Sequence, residues 1–240
     1  MYAAAPDGVG AQAKEIGGAL CLRLDSMPQA PMFNRALGLG LDEPVTEDAL
    51  DRIVDFLDET RALLSVAPEA GPAQLPEWLQ ARQFGPGYGW TKFTRPPSPP
   101  AEARTDLRVE RVETGEAFGL AAARGFEVPE LFEGWLAQLP GREGWHCFVA
   151  FDGDQPAGAG ALYVNGRIGW FGIGATIPEH RGKGSQSAVL AKRIEAATAL
   201  GCEILVSETG KPVEGRAGPS YRNLVRAGFE PVYVRENYER

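Results

Sequence analysis

Polar and apolar positions alternate with two periods along this chain, and each change of period marks an element. From residue 105 onward the reading is regular. Leu107–Val112 is a short strand, and helical spacing predicts helices over Gly115–Arg124 and Glu130–Leu139. Trp145–Asp152 alternates as a strand and Gly153 turns it. Gln155–Val164 follows, Asn165-Gly166 is a hairpin signal, and Arg167–Ile177 is the third strand of that meander. A helix over about 184–200 carries Leu190, Ile194 and Ala197 at helical spacing, with Gly201 as its stop. Glu203–Ser207 is a strand, Ser220–Ala227 a short helix ended by Gly228, and Glu230–Arg235 a last strand. The order is β-α-α-β-β-β-α-β-α-β.

The first part of the chain reads as a shorter version of this pattern. The run Arg35-Ala-Leu-Gly-Leu-Gly-Leu-Asp-Glu-Pro can be laid against Trp170-Phe-Gly-Ile-Gly-Ala-Thr-Ile-Pro. A helix over Thr46–Glu59 follows, with Leu50, Val54 and Leu57 on one face. Leu63–Ala67 is a strand, Leu75–Arg82 a helix and Tyr88–Thr94 a strand. The order β-α-β-α-β repeats that of the later segment, as a faded internal copy would. An unrelated α/β domain is the other reading. Between the halves, four prolines among residues 96–100 exclude a regular helix or a central strand. The expected division is therefore a domain over 1–95, a linker over 96–104 and a second domain over 105–240.

Composition adds limits. The 240 residues are 44% hydrophobic and 23% charged with a net charge of −8, which is not the balance of a nucleic-acid binder. No apolar run approaches the roughly 20 residues that span a bilayer. The start Met1-Tyr2-Ala3-Ala4-Ala5-Pro6-Asp7 lacks the basic and apolar regions of a secretory signal, so a cytoplasmic setting is expected. Cys21, Cys147 and Cys202 are scattered without Cys-x-x-Cys spacing, which predicts buried inert thiols and no zinc site.

The most specific chemistry lies at residues 181–187. A strand runs through Pro178 into Arg181-Gly182-Lys183-Gly184 and directly into a helix. Glycines permit a tight turn that exposes backbone N–H groups, and the helix adds unpaired donors and the positive end of its dipole. Such a turn is a pyrophosphate cradle, here with Arg181 and Lys183 at its mouth. The Walker spacing and the Gly-x-Gly-x-x-Gly dinucleotide fingerprint are both absent. The first half has Asp42-Glu43-Pro44-Val45 at the equivalent place, and two carboxylates there would repel a pyrophosphate.

This loop resembles the acetyl-CoA loop of the GNAT superfamily of N-acyltransferases, Arg/Gln-x-x-Gly-x-Gly/Ala. Arg181 and Gly184 fit its first two fixed positions, and Gln186 stands where Gly or Ala is usual. The element order over 105–240 is similar to the GNAT fold, a mixed, largely antiparallel sheet flanked by helices. The segment Ser220-Tyr221-Arg222-Asn223-Leu224-Val225-Arg226-Ala227-Gly228-Phe229 resembles the family's closing helix with its Gly-Phe ending. The resemblance implies an acetyl-CoA-dependent N-acetyltransferase acting on a primary amine, with the first half a degenerate GNAT-like domain without a cofactor loop.

It also implies site roles. The pyrophosphate would rest on backbone N–H groups of Gly182, Lys183, Gly184, Ser185, Gln186 and Ser187. The pantetheine would pair with Ile173, Gly174 and Ala175, where strands 167–177 and 203–209 splay apart, and Asn223 could hold the pantetheine or thiol. A backbone N–H on the first strand would polarise the thioester carbonyl. Glu208 is the expected base, with His146 and His180 as weaker candidates. Many members carry a tyrosine acid four residues before the glycine of the closing Gly-Phe, and that position here is Leu224. Tyr221 and Ser220, three and four residues before Leu224, each lie on roughly its helix face and are the substitute candidates. A small-molecule or peptide amine is the expected substrate, with no metal, no nucleic acid, no membrane and a monomer or homodimer. The competing readings are a non-catalytic acyl-CoA-binding module and transfer to a hydroxyl.

Overall fold

A computed structural model describes residues 1–68 and 70–240. Two compact units divide the chain: Tyr2–Thr91 with Tyr233–Arg240, and Met1 with Lys92–Val232.

In the first unit, β1 (Ala11–Ile16) and β2 (Ala19–Leu24) form an antiparallel hairpin. Its two-residue turn, Gly17-Gly18, has both residues at positive φ, as a primed turn requires. This hairpin was absent from the sequence expectation, because β1 exposes most of its polar residues and carries little apolar alternation. The next strand, β3 (Arg35–Leu39), pairs antiparallel with β2, and α1 (Glu47–Phe56) leads to β4 (Leu63–Val66), parallel to β3. Leu50, Ile53 and Leu57 of the α1 segment are fully buried against Leu64 and Leu79 in one core. Each such side chain contributes about 1.5–3 kcal/mol by leaving water. The rest of this half comprises α2 (Leu75–Ala81), the short β5 (Gly85–Pro86) and β6 (Trp90–Arg95).

The second unit begins with β7 (Arg108–Val112), followed by α3 (Glu116–Phe126) and α4 (Leu131–Leu136). The meander is β8 (Trp145–Asp152), β9 (Gln155–Asn165) and β10 (Ile168–Thr176), all antiparallel. After it come α5 (Ser185–Ala199), β11 (Ile204–Gly210) parallel to β10, α6 (Pro219–Arg226) and β12 (Glu230–Glu239). The mostly antiparallel sheet and its helices are those expected for residues 105–240. One core packs Phe171, Leu190 and Ile194 with Leu224 and Phe229.

The domain division differs from the one the prolines predicted. Beside β11 stands β6, which precedes the prolines, while the end of β12 pairs antiparallel with β4 of the first unit. Each half thus gives its last strand to the other. Arg95 explains why the proline segment is not a free linker. Its buried guanidinium donates to Ala227 O at 2.8 Å and to the carbonyls of Pro96, Ser98 and Pro99 at 3.0, 2.8 and 3.1 Å. Prolines lack donors but keep carbonyl acceptors, and one arginine satisfies three carbonyls of this segment. Asn237 fastens the other exchanged strand: its Oδ1 accepts from Ser65 Oγ at 2.8 Å and its Nδ2 donates to Tyr88 O at 2.6 Å.

Among the described residues, no helix is long and apolar enough to cross a membrane, and no group of three or more His, Cys, Asp or Glu is placed to hold a metal ion.

Candidate functional site

The site begins where β10 and β11 part. Their parallel register runs from Ile168↔Ile204 to Phe171↔Ser207, and Ser207 Oγ closes it by donating to Phe171 O at 2.9 Å. Beyond that pair β10 continues only against β9, through a bulge. Gly172 faces Ala161 and Ala175 faces Ala159, so Ile173 and Gly174 together stand opposite one residue. Ile173 has φ of +51°. A β-branched residue in the left-handed region costs about 1–3 kcal/mol, and such strain persists only where the surroundings hold it. Gly172 leaves room for the Trp170 ring, which lies 1.8 Å from where a Cβ would stand.

Two α5 side chains hold the bulge from below. Gln186 Nε2 donates to Ala175 O at 2.6 Å and lies 3.2 Å from Thr176 Oγ1. The Gln186 side-chain amide thus answers a carbonyl beside the bulge, which leaves its backbone N–H for the role the sequence reading gave it. Arg193 is buried and donates through Nη1 to Ala161 O at 3.0 Å and Gly172 O at 3.1 Å. Burial pushes its guanidinium below the usual arginine range. The sequence reading missed Arg193. It lies three residues after Leu190 and four after Val189, on the apolar stripe, and a charged residue at such a position was the available signal.

The loop after β10 is a 3-10 turn over Pro178–His180, then Arg181–Gly184, then α5. Gly184 caps the helix at φ +84°, and a Cβ there would lie 2.8 Å from Arg104 O. Thr105 Oγ1 donates to Lys183 O at 2.6 Å and braces the turn. No side chain caps α5 and no acid lies in its first turn, so no side chain answers its leading N–H groups. In the first unit, Thr46 Oγ1 accepts from Ala49 N at 3.2 Å, and Glu47 and Asp48 occupy the first turn of α1. That helix start is already capped and negatively charged.

Several predicted groups are committed to other partners. Lys183 Nζ lies 2.6 Å from Asp152 Oδ2, which also meets His180 Nδ1 at 3.1 Å. The hydrogen bond from Lys183 holds the Asp152 carboxyl below its ordinary range, with the charges of Lys183 and His180 acting in the same direction. Arg181 pairs with Glu127 at 3.4 Å. Both loop cations thus carry carboxylate partners that the sequence reading did not assign. Ser185 is buried against Gly158, and its Oγ has no partner among the described residues, so it offers the loop only its N–H. Ser187 is exposed.

Glu208 follows the last residue of β11 that pairs with β10, at the start of the gap, and forms an ion pair with Lys92 of β6. The Tyr221 ring meets Phe93 edge-on with centroids 4.9 Å apart. Leu224 is buried in the core, Ser220 is exposed, and Asn223 Oδ1 accepts from Arg226 Nη2 at 2.5 Å. His146 stands on β8, two strands from β10, with burial lowering its pKa. All three cysteines are buried, and desolvation pushes the Cys147 thiol up to about 12 and the Cys21 thiol to about 11. A cavity of about 770 Å³ lies between the proline segment and α5, lined by Pro99, Thr105, Ala191 and Glu195.

Residues 111–224 match the family model described as Acetyltransferase (GNAT) family. No curated protein matches the chain. Among solved structures, a GCN5-related N-acetyltransferase from Kribbella flavida superposes with a TM-score of 0.65 at 16% identity, covering 95% of this chain and 89% of that one. A GCN5-related N-acetyltransferase from Sphaerobacter thermophilus gives 0.63 at 14% identity, with 93% and 80% covered. A tandem GNAT protein from the clavulanic acid biosynthesis pathway gives 0.60 at 14% identity, with 94% and 78% covered.

Proposed function

We propose, from the match of residues 111–224 to the acetyltransferase (GNAT) family model, that the protein is an acyltransferase that transfers an acetyl group from acetyl-CoA to a primary amine by direct attack in a ternary complex. The observation that carries this reading is the uncapped start of α5 at the end of the gap between β10 and β11. The fit to a CoA pyrophosphate rests on Gly184, where any Cβ would crowd the turn. Acetyl-CoA supplies an activated thioester.

The chain's residues supply the rest. Backbone N–H groups of Gly182 to Ser187 hold the pyrophosphate, and the bulged edge at Ile173–Ala175 aligns the pantetheine arm. The Ile173 N–H is the donor for the thioester oxygen. A free alkyl amine, with a pKa near 10.4, arrives mostly protonated at neutral pH. Glu208, paired with Lys92, takes that proton through a relaying water and leaves the neutral amine to attack. The Tyr221 hydroxyl protonates the departing thiolate, with Ser220 as the alternative donor. Asn223 lies on the same helix and flanks the thiol.

The first unit is read as a degenerate GNAT-like domain that binds no CoA, because α1 is capped by Thr46 and led by Glu47 and Asp48. The reading includes a cytoplasmic monomer or homodimer without nucleic-acid or membrane partners. Incubating the protein with acetyl-CoA and an amine library, with free-thiol detection, is expected to show amine-dependent thiol release. Calorimetry is expected to give one CoA per chain. CoA binding without thiol release for any amine would favour a non-catalytic acyl-CoA-binding module, a reading supported by the buried Leu224.

Asp152→Asn provides a further check. Removing this carboxylate frees Lys183 for the pyrophosphate, and CoA affinity at low salt is expected to rise by up to about fivefold, the scale of an exposed ion pair. The gain should fade at high ionic strength. Affinity that falls or stays level at low salt would show that Lys183 does not face the phosphates.

A further inference from the structure

Arg193 is 2% exposed and, among the described residues, has no carboxylate within ion-pair distance. A buried cation without a counter-ion is costly and persists where hydrogen-bond acceptors meet its donors. Here two of its three nitrogens serve carbonyls: Nε lies 3.3 Å from Val189 O, while Nη1 reaches Ala161 O and Gly172 O. Phe171 lies under the guanidinium, with its ring centroid 5.2 Å from Cζ. The sheet makes room for this group at Gly160, where a Cβ would lie 2.8 Å from Cζ.

The geometry points to Arg193 as a positioning residue that acts on the thioester through the Gly172–Ile173 peptide. The inference rests on the acyl-transfer reading above. One nitrogen, Nη1, reaches a carbonyl on β9 and a carbonyl on β10 together, so the Gly172 oxygen lies on the β9 side. A peptide group is planar and trans, which sends the Ile173 N–H to the opposite side, into the gap that β11 has left. A cation on the carbonyl oxygen also polarises the amide and makes its N–H a stronger donor. The same contact holds Ile173 at φ +51°, a conformation its side chain opposes. Arg193 thereby fixes both the direction and the strength of the proposed oxyanion donor without touching the substrate.

The test uses the full chain with Arg193→Met and Arg193→Lys. In Arg193→Met, kcat is expected to fall about tenfold, less than the roughly 10²–10³ that follows removal of an oxyanion donor itself. KM for acetyl-CoA and the Kd for CoA should stay within about twofold, and Arg193→Lys should recover part of the rate. The ¹H–¹⁵N signal of the Ile173 amide should move upfield in the Met variant and return partway in the Lys variant. If Arg193→Met does not fold, the Lys variant carries both readouts, and adding Ile173→Gly should restore folding by removing the strain. An unmoved Ile173 amide, or a loss of CoA affinity that matches the loss of rate, overturns the inference. Wild-type protein that fails to bind CoA while the amide shifts as expected would instead overturn the acyl-transfer reading. It would leave Arg193's hold on this peptide demonstrated.

Discussion

Gly184→Val is expected to abolish CoA binding, with affinity at least about 10²-fold below wild type. Two independent effects converge at this position. The backbone sits at φ +84°, which a β-branched residue resists, and a Cβ would stand 2.8 Å from Arg104 O and 3.1 Å from Thr105 Cβ. Neither neighbour can swing aside cheaply, since one is backbone and the other is held by the Thr105–Lys183 contact. The turn must therefore shift and carry the first N–H groups of α5 away from the phosphates. Hydrogen bonds to a charged group are worth about 1.5–3 kcal/mol each, so losing two gives the stated range. Gly182→Ala is a graded comparison, because Gly182 shares φ +84° but has nothing within 4 Å of its would-be Cβ. Calorimetry and the thermal shift on adding CoA measure both variants. A folded Gly184→Val protein that binds CoA like wild type would remove the pyrophosphate from this loop.

Tyr221→Phe is expected to lower turnover by about 10²-fold, within the usual range for general acid catalysis, while leaving CoA affinity unchanged. The structure makes this substitution clean. Tyr221 packs through its ring, edge-on against Phe93, and phenylalanine keeps that contact. The hydroxyl helps only the departing thiolate, a charge that develops late and is absent in the bound ground state. Stopped-flow thiol release and equilibrium CoA binding separate the two quantities. Activity unchanged across the pH range would leave Tyr221 as packing and move the role to Ser220 or water. Asn223→Ala should have a smaller effect, because the Asn223 carbonyl oxygen is occupied by Arg226.

Much of the second half was legible in the sequence. Strand and helix periods placed β8 at its observed limits and α5 within a residue of its ends, because both bury one face against a continuous core. The glycines of the loop announced the turn, since a residue at φ +84° is written into the chain as Gly. The splay between β10 and β11 was likewise expected at these strands, and the paired register stops within them.

Tertiary structure decided the pairings. No periodicity reports which strand lies beside β11, because β6 and β12 each bury a face and read alike as strands. The exchange is fixed by long-range contacts such as Arg95 with Ala227 O and Asn237 with Ser65. The electrostatics of the loop were also hidden. Arg181 and Lys183 read as free cations in the sequence, but their partners Glu127 and Asp152 come from elements 54 and 31 residues away. Arg193 shows the same limit most sharply. A charged side chain on a helix is normally solvated, and only the Ala161 and Gly172 carbonyls, brought together by the pairing of β9 with β10, give this one a reason to be buried. Local sequence determined which segments became strands, helices and tight turns, since those depend on neighbours along the chain. Which polar groups met depended on distances that exist only once the sheet has closed.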